Sequence, residues 1–210
     1  FCGKPLLYWT YQNIYRSKLF DKIYLSTDGK NIFDVGYKLG FEIPHLRPKK
    51  LATSTSDQFD THRYFFKKMN INDKNSIVCI INNNPFIKDF LIRKSFKIFK
   101  KNKFKFIVMG AIPVSSDQIF FRQMMLKKNT LIPKFKRDLI NSNINRKDHK
   151  IYSNTGDIRW GKPSWLINYK NFNKRICKTG FKYFKLDELR YHDLNTPDDW
   201  KEAQFKFKNL

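Results

Sequence analysis

Acidic residues are scarce in this sequence: 18 Asp and Glu stand against 42 Lys and Arg, a net charge of +24. Cysteine is rarer still. Cys2, Cys79 and Cys177 form no CxxC pair, which excludes a disulfide frame and a cysteine zinc site and fits a reducing compartment. Cys79, inside the apolar run SIVCII, reads as inert core. No apolar run approaches the roughly 18 residues of a membrane span. No secretory apolar segment is visible either, so the expectation is a cytoplasmic protein with no membrane partner. What is present is a core-forming composition, 41% hydrophobic and 17% aromatic, which excludes a disordered chain. The 210 residues suffice for a single domain spanning 1–210.

The basic excess invites a nucleic-acid reading. A plainer cause is at hand. The excess is mostly Lys and comes with abundant Asn, Ile and Phe, residues that share A/T-rich codons. The lysines are scattered, as in FKIFKKNKFKF, and neither a zinc-finger spacing nor an aromatic RNP-like run accompanies them. Nucleic acid is therefore not the expected partner, although a basic-nucleic-acid-module reading stays as a rival. A basic surface also attracts small polyanions such as a nucleoside triphosphate.

The first 110 residues alternate helix and strand. Helical spacing covers 5–20, 31–40 (closed by Gly40 as a C′ glycine), 56–69 (with Ser56 as its cap) and 88–101. Short β-rich runs lie at 22–26, 41–46 (interrupted by Pro44), 76–81 and 104–110. This order predicts an α/β fold, three layers with a mostly parallel Rossmann-like sheet between helices. Ligands of such sheets bind at the strands' carboxyl ends, which singles out the loops STDGK (26–30), LRPKKLATSTSDQ (46–58) and NNNPFIKD (82–89). From about 111 to 150 the alternation fails. The polar stretch 127–150 reads as a flap or an arm packing on a second subunit. IYSNTGDIRWGKPSWL (151–166) reads as a turn or hairpin around Gly156 and Gly161.

The stretch YHDLNTPDDW (191–200) gathers scarce acids. Thr196 and Pro197 read as N-cap and first helical residue, and Asp198 and Asp199 suit the positive end of the helix dipole. Asp193 and Asn195 precede the cap and alternate in an extended segment, so they point the same way. Two neighbouring oxygen-bearing side chains can hold a hard cation such as Mg²⁺; a solvated loop is the other reading.

In order and spacing these pieces resemble the CMP-sugar synthetases, the cytidylyltransferases that activate nonulosonic acids. CGKPLLYWTYQNIYRSKLFDKIYLSTD resembles the family's GKP helix, LFD and VSTD strand end. GFEIPHLRPKKLA resembles its LRPxxLA loop, VCIINNNPFI its Pro-containing loop, and HDLNTPDDW its D-x-D-T-P-E-D-W end. NTGDIRWGKPSWL is similar to the AGQFYWG segment of the pseudaminic acid enzymes, the subgroup favoured here over the sialic acid enzymes.

The resemblance implies transfer of CMP from CTP to pseudaminic acid or a relative, with Mg²⁺ as cofactor and a homodimer built through the arm. It implies a metal site at Asp193, also the candidate catalytic residue, and Asn195, which stands where the family has a second acid. It implies nucleotide contacts at Arg47, Asp28, Ser56, Asp57 and Gln58, and a sugar contact at Asn83. His192 reads as a hydrogen-bonded neighbour. Bland readings accompany several of these: a strand-end salt bridge for Arg47, a helix cap for Asp28, a turn for Asn83. The family's Gly-, Arg- and Lys-rich loop precedes GKP, whereas this sequence opens at FCGKP. The expectation is thus an N-terminally shortened chain with little or no turnover as it stands, and a non-catalytic nucleotide-binding homologue is the second rival.

Overall fold

The structure is a computed structural model that describes residues 1–71, 76–113, 124–127, 130–133, 152–188 and 191–209. Its centre is a four-stranded sheet in the order β1-β5-β2-β6, made of β1 (Val78–Ile81), β2 (Val108–Pro113), β5 (Tyr152–Gly161) and β6 (Lys182–Lys185). Two further strands, β3 (Met124–Lys127) and β4 (Thr130–Pro133), pair antiparallel in a separate two-stranded sheet. The helices are α1 (Leu6–Ser17), α2 (Lys30–Leu39), α3 (Gln58–Lys68), α4 (Asp89–Lys101), α5 (Pro163–Leu166), α6 (Tyr169–Thr179) and α7 (Pro197–Lys208).

The α/β class holds, but the sheet is mixed and not mostly parallel. β5 runs antiparallel to both β1 and β2, and β2–β6 is the parallel pair. Nor do residues 22–26 and 41–46 make full strands. They meet at a single parallel bridge, Tyr24 to Glu42, supported by Leu25 N–H to Glu42 O at 3.0 Å and Glu42 N–H to Ile23 O at 2.8 Å. Pro44 has no N–H to extend the ladder. The expected hairpin at 151–166 is instead the ten-residue strand β5. Gly156, with φ +72°, marks a bulge where the β2–β5 register shifts between Met109 and Ala111. Gly161 pairs with Val78 and lies under Leu166. The arm expected at 111–150 falls largely outside the described residues.

Strand alternation decides what each face of β5 carries. Ile158 and Trp160 point into the main core, packed with Ile87, Ile92, Phe99, Val108, Phe184 and Leu186. α4 covers this face. Trp160 stacks near Phe99 and Phe20, and its indole N–H donates to the buried Ser95 Oγ at 2.8 Å. Asp157 and Arg159 point to the opposite face, under α3 and α5. Helices therefore lie on both faces of the sheet. Among the described residues no helix is long and apolar enough to cross a membrane.

Candidate functional site

Three elements converge beyond the carboxyl end of β1: the Asn82–Asn84 loop, the middle of β5, and the lead-in to α7. The ladder runs one residue past β1, Asn82 N–H donating to Asp157 O at 2.9 Å. Asn84, only 3% exposed, ties the elements together. Its amide nitrogen donates to Asp157 Oδ1 at 3.3 Å and to the His192 carbonyl at 3.1 Å, and its oxygen accepts from Phe86 N–H at 3.0 Å. Tyr191 donates its hydroxyl to the other oxygen of Asp157. Asp157 is itself 3% exposed. Burial pushes its carboxyl above the ordinary aspartate value, against the pull of hydrogen bonds from Tyr191, Thr155 and Asn84, and the Asp193 charge adds to the rise. Burial, with the Asp157 charge behind it, likewise raises the Tyr191 phenol.

Two residues along β5, Arg159 is 8% exposed and its Nε has no hydrogen-bond partner. On α3, His62 is held neutral: burial, then the Arg159 charge, bring its imidazole down to about 4. His62 also responds to Asp57, so α3 carries the electrostatics from its own cap to the sheet.

Asp193 and Asn195 lie together and are exposed. Asn195 Nδ2 donates to Asp193 Oδ2 at 2.8 Å, and Asp193 Oδ1 accepts from Leu194 N–H at 2.9 Å. A cation would require the Asn195 amide to turn and offer its oxygen. The pair then supplies one carboxylate and one amide oxygen, which fits Mg²⁺, an ion that keeps several waters and shares itself with phosphates. Among the described residues no cluster of three or more His, Cys, Asp or Glu is placed to hold a metal by itself. The next residues form the capping box of α7. Asp199 N–H donates to Thr196 Oγ1 at 3.1 Å, and Asp199 Oδ2 accepts from Thr196 N–H at 2.7 Å. His192 Nδ1 lies 3.2 Å from Lys206 Nζ, a hydrogen-bonded neighbour.

The remaining sequence candidates form a second group. Arg47 Nη2 meets Asp28 Oδ1 at 2.9 Å, and this hydrogen bond holds the Asp28 carboxyl below its ordinary value. Asp28 does not cap α2, whose N-cap is Gly29. Asp57, and not Ser56, caps α3, accepting from Phe59 N–H at 2.8 Å. Ser56 is engaged in its own loop, accepting from Thr53 N–H at 3.0 Å and donating to Lys50 O at 3.2 Å, which explains why the cap moves one residue on. Gln58 opens α3 and is exposed. Asn83 accepts from Thr10 Oγ1 of α1 at 2.7 Å. The sequence alone did not single out Thr10, Asp157, Arg159 or Tyr191, and Asn84, part of the polar loop expected to meet hydroxyls or form a turn, is instead buried against Asp157. A signal existed: Asp and Arg two apart in an apolar strand share one buried face.

A family model described as "Cytidylyltransferase" matches residues 1–158. The chain is 28% identical over 201 residues to the CMP-N,N'-diacetyllegionaminic acid synthase of Legionella pneumophila, across 94% of this chain and 83% of that protein. It is 28% identical over 213 aligned residues to a pseudaminic acid cytidylyltransferase of Campylobacter jejuni, across 99% of this chain and 87% of that one. Among solved structures, a CMP:2-keto-3-deoxy-manno-octonic acid synthetase complexed with CTP superposes with a TM-score of 0.70 at 12% identity, across 99% of this chain and 90% of that chain. The 4-diphosphocytidyl-2C-methyl-D-erythritol synthase of Anaerococcus prevotii gives 0.61 at 16% identity, across 98% and 87%. At such identities the structural likeness speaks for the fold alone.

Proposed function

The chain belongs to the cytidylyltransferase family, and on that premise we propose that it transfers CMP from CTP to a nonulosonic acid of the pseudaminic or legionaminic type. The observation that carries this reading is the match, over nearly the whole chain, to curated relatives named for those two reactions. The anomeric hydroxyl oxygen of the sugar acid attacks the α-phosphorus. The bond from that phosphorus to the oxygen bridging to the β-phosphate breaks, pyrophosphate leaves with the electron pair, and the hydroxyl proton passes to solvent.

Such a transfer depends on positioning and on neutralising charge. Asp193 and Asn195 would hold Mg²⁺, which when bound draws off negative charge from the phosphates. Arg47, fixed by Asp28, offers a fork suited to a phosphate or a base edge. Asp57 and Gln58 lie at the start of α3, where they can face the cytosine. Asn83, oriented by Thr10, is placed to meet sugar hydroxyls. The same reading includes a homodimer through the 111–150 segment and a cytoplasmic location.

The test is product formation. With the Gly-, Arg- and Lys-rich loop supplied ahead of GKP, the purified protein with CTP, Mg²⁺ and pseudaminic or legionaminic acid should release pyrophosphate and yield the CMP-sugar, with ATP, GTP and UTP far poorer. Calorimetry should show cytidine nucleotides bound in preference to the others. Equal, weak binding of all four nucleotides, lost at moderate salt, would instead indicate a generic polyanion surface.

A further inference from the structure

Arg159 is a buried charge that the described residues leave unanswered. Its side chain is 8% exposed, its Nε has no hydrogen-bond partner, and no ion pair or hydrogen bond joins its guanidinium to another described residue. A guanidinium keeps its charge in a protein, so it cannot escape this cost by losing a proton. The acid whose charge reaches it, Asp157, has both oxygens engaged elsewhere, one by Asn84 and one by Tyr191. His62, on the helix above, is neutral at physiological pH.

The arginine also lies against a cradle. A Cβ on Gly156 would lie 3.0 Å from Arg159 Nη2, so the side chain runs back along β5 toward the bulge. That is where Asn82 joins Asp157 and where the Asn82–Asn84 loop begins. The guanidinium thus lies beside the β5 bulge, on the same strand as Asp157 and within reach of its charge.

Resting on the family reading above, we propose that Arg159 is the receptor for an oxyanion of the bound substrates, namely the carboxylate of the sugar acid. A planar fork takes a planar carboxylate through two parallel hydrogen bonds. A triphosphate calls for several cations, whereas a single guanidinium matches a single carboxylate. Arg159 would therefore act as a specificity-determining residue, selecting acids over neutral sugars of the same shape.

Calorimetry on the full chain tests this, with CTP and Mg²⁺ titrated first. Pseudaminic acid and its C1 amide follow, in the presence of a CTP analogue that cannot be cleaved between the α- and β-phosphates. Wild type should prefer the acid to the amide. Arg159→Gln should weaken the acid by about 10–100-fold, the loss of a charge-assisted hydrogen bond, while leaving CTP and the amide unchanged. Arg159→Lys, which keeps the charge and drops the fork, should fall between, and it carries the test if thermal melting shows Arg159→Gln unfolded. Weakened CTP with unchanged acid overturns the carboxylate assignment in favour of a phosphate. Unchanged affinity for both ligands, with a lowered Tm, overturns the receptor role and leaves Arg159 as a counterion to Asp157. A wild-type protein that binds no CTP is a different failure, that of the family reading, and the first titration exposes it.

Discussion

Replacing Asn195 by Asp puts the metal reading under the most direct strain. The Asn195 amide now donates to Asp193 Oδ2 across 2.8 Å. Asn195→Asp replaces that donor with a second carboxylate. Two unit charges at this separation repel by about 1.5 kcal/mol even in bulk water. The lost hydrogen bond adds about 0.5–1.5 kcal/mol. Both side chains are exposed, so they can swing apart, and salt screens part of the repulsion. A net loss of about 1 kcal/mol is expected in EDTA, which in a chain of this length lowers Tm by about 2–4 °C. A divalent cation between the carboxylates reverses the sign, and a tenfold tighter Mg²⁺ site corresponds to about 1.4 kcal/mol. Scanning calorimetry with CTP, across a Mg²⁺ titration, should show Asn195→Asp starting below wild type and overtaking it. Asp193→Ala should abolish the Mg²⁺ response. The same response in wild type, Asn195→Asp and Asp193→Ala would refute the metal site and leave the pair as the lead-in to the α7 cap.

Three further outcomes follow from the buried network. Asn84→Ala removes the donor to Asp157 and to the His192 carbonyl and the acceptor for Phe86 N–H, so urea unfolding should register a loss of about 2–4 kcal/mol; a loss under about 0.5 kcal/mol would contradict the geometry. Burial raises the Asp157 carboxyl, so its folded state holds a proton that the unfolded chain has released; stability is full below the unfolded value and is lost as pH rises through the raised one. Asp157→Asn should therefore gain on wild type as pH rises above about 4, and a difference that stays flat in urea melts at several pH values speaks against a buried acid. His62 works the other way: its folded value of about 4 lies below the unfolded one, so its contribution is present above about pH 6.5 and is lost as pH falls toward 4. His62→Gln should flatten that acid limb, and an unaltered limb would mean that His62 is not held neutral.

Local rules made the ends of elements legible. Thr196, Pro197 and Asp199 cap α7, and Gly40 closes α2 with φ 103°, because capping depends on a few adjacent residues. Where two good caps stood side by side, local rules could not choose. Ser56 was drawn into its own loop and Asp57 became the cap of α3. Strand direction was not legible. An apolar run says that a strand exists, while its partner is chosen by packing over long separations. For the same reason Gly156 and Gly161, which read as turn signals, sit inside one long strand. In the site, Asp193 and Asn195 are two apart in an extended stretch, so period-two alternation was enough to place them together. Asn84, Asp157 and Tyr191 come from three distant segments, and their contact exists only once the sheet has formed.

Charge separates what composition supplies from what the site requires. The net charge of +24 is spread over scattered lysines, and at physiological ionic strength a surface charge is largely screened beyond about 8 Å. Such a surface speeds the arrival of a polyanion without choosing among polyanions. The charges that can choose are the ones held in place. Asp28 fixes Arg47, Asp57 caps the helix that brings His62 over the sheet, and Asp157 and Arg159 lie almost wholly out of water on one face of β5. Buried charges are screened far less than exposed ones and cannot reorient to suit any ligand. The scarce acids therefore carry more of the specificity than the abundant bases. Asp28 sets the position of a cation, Asp57 and Asp199 each a cap, and Asp157 a loop.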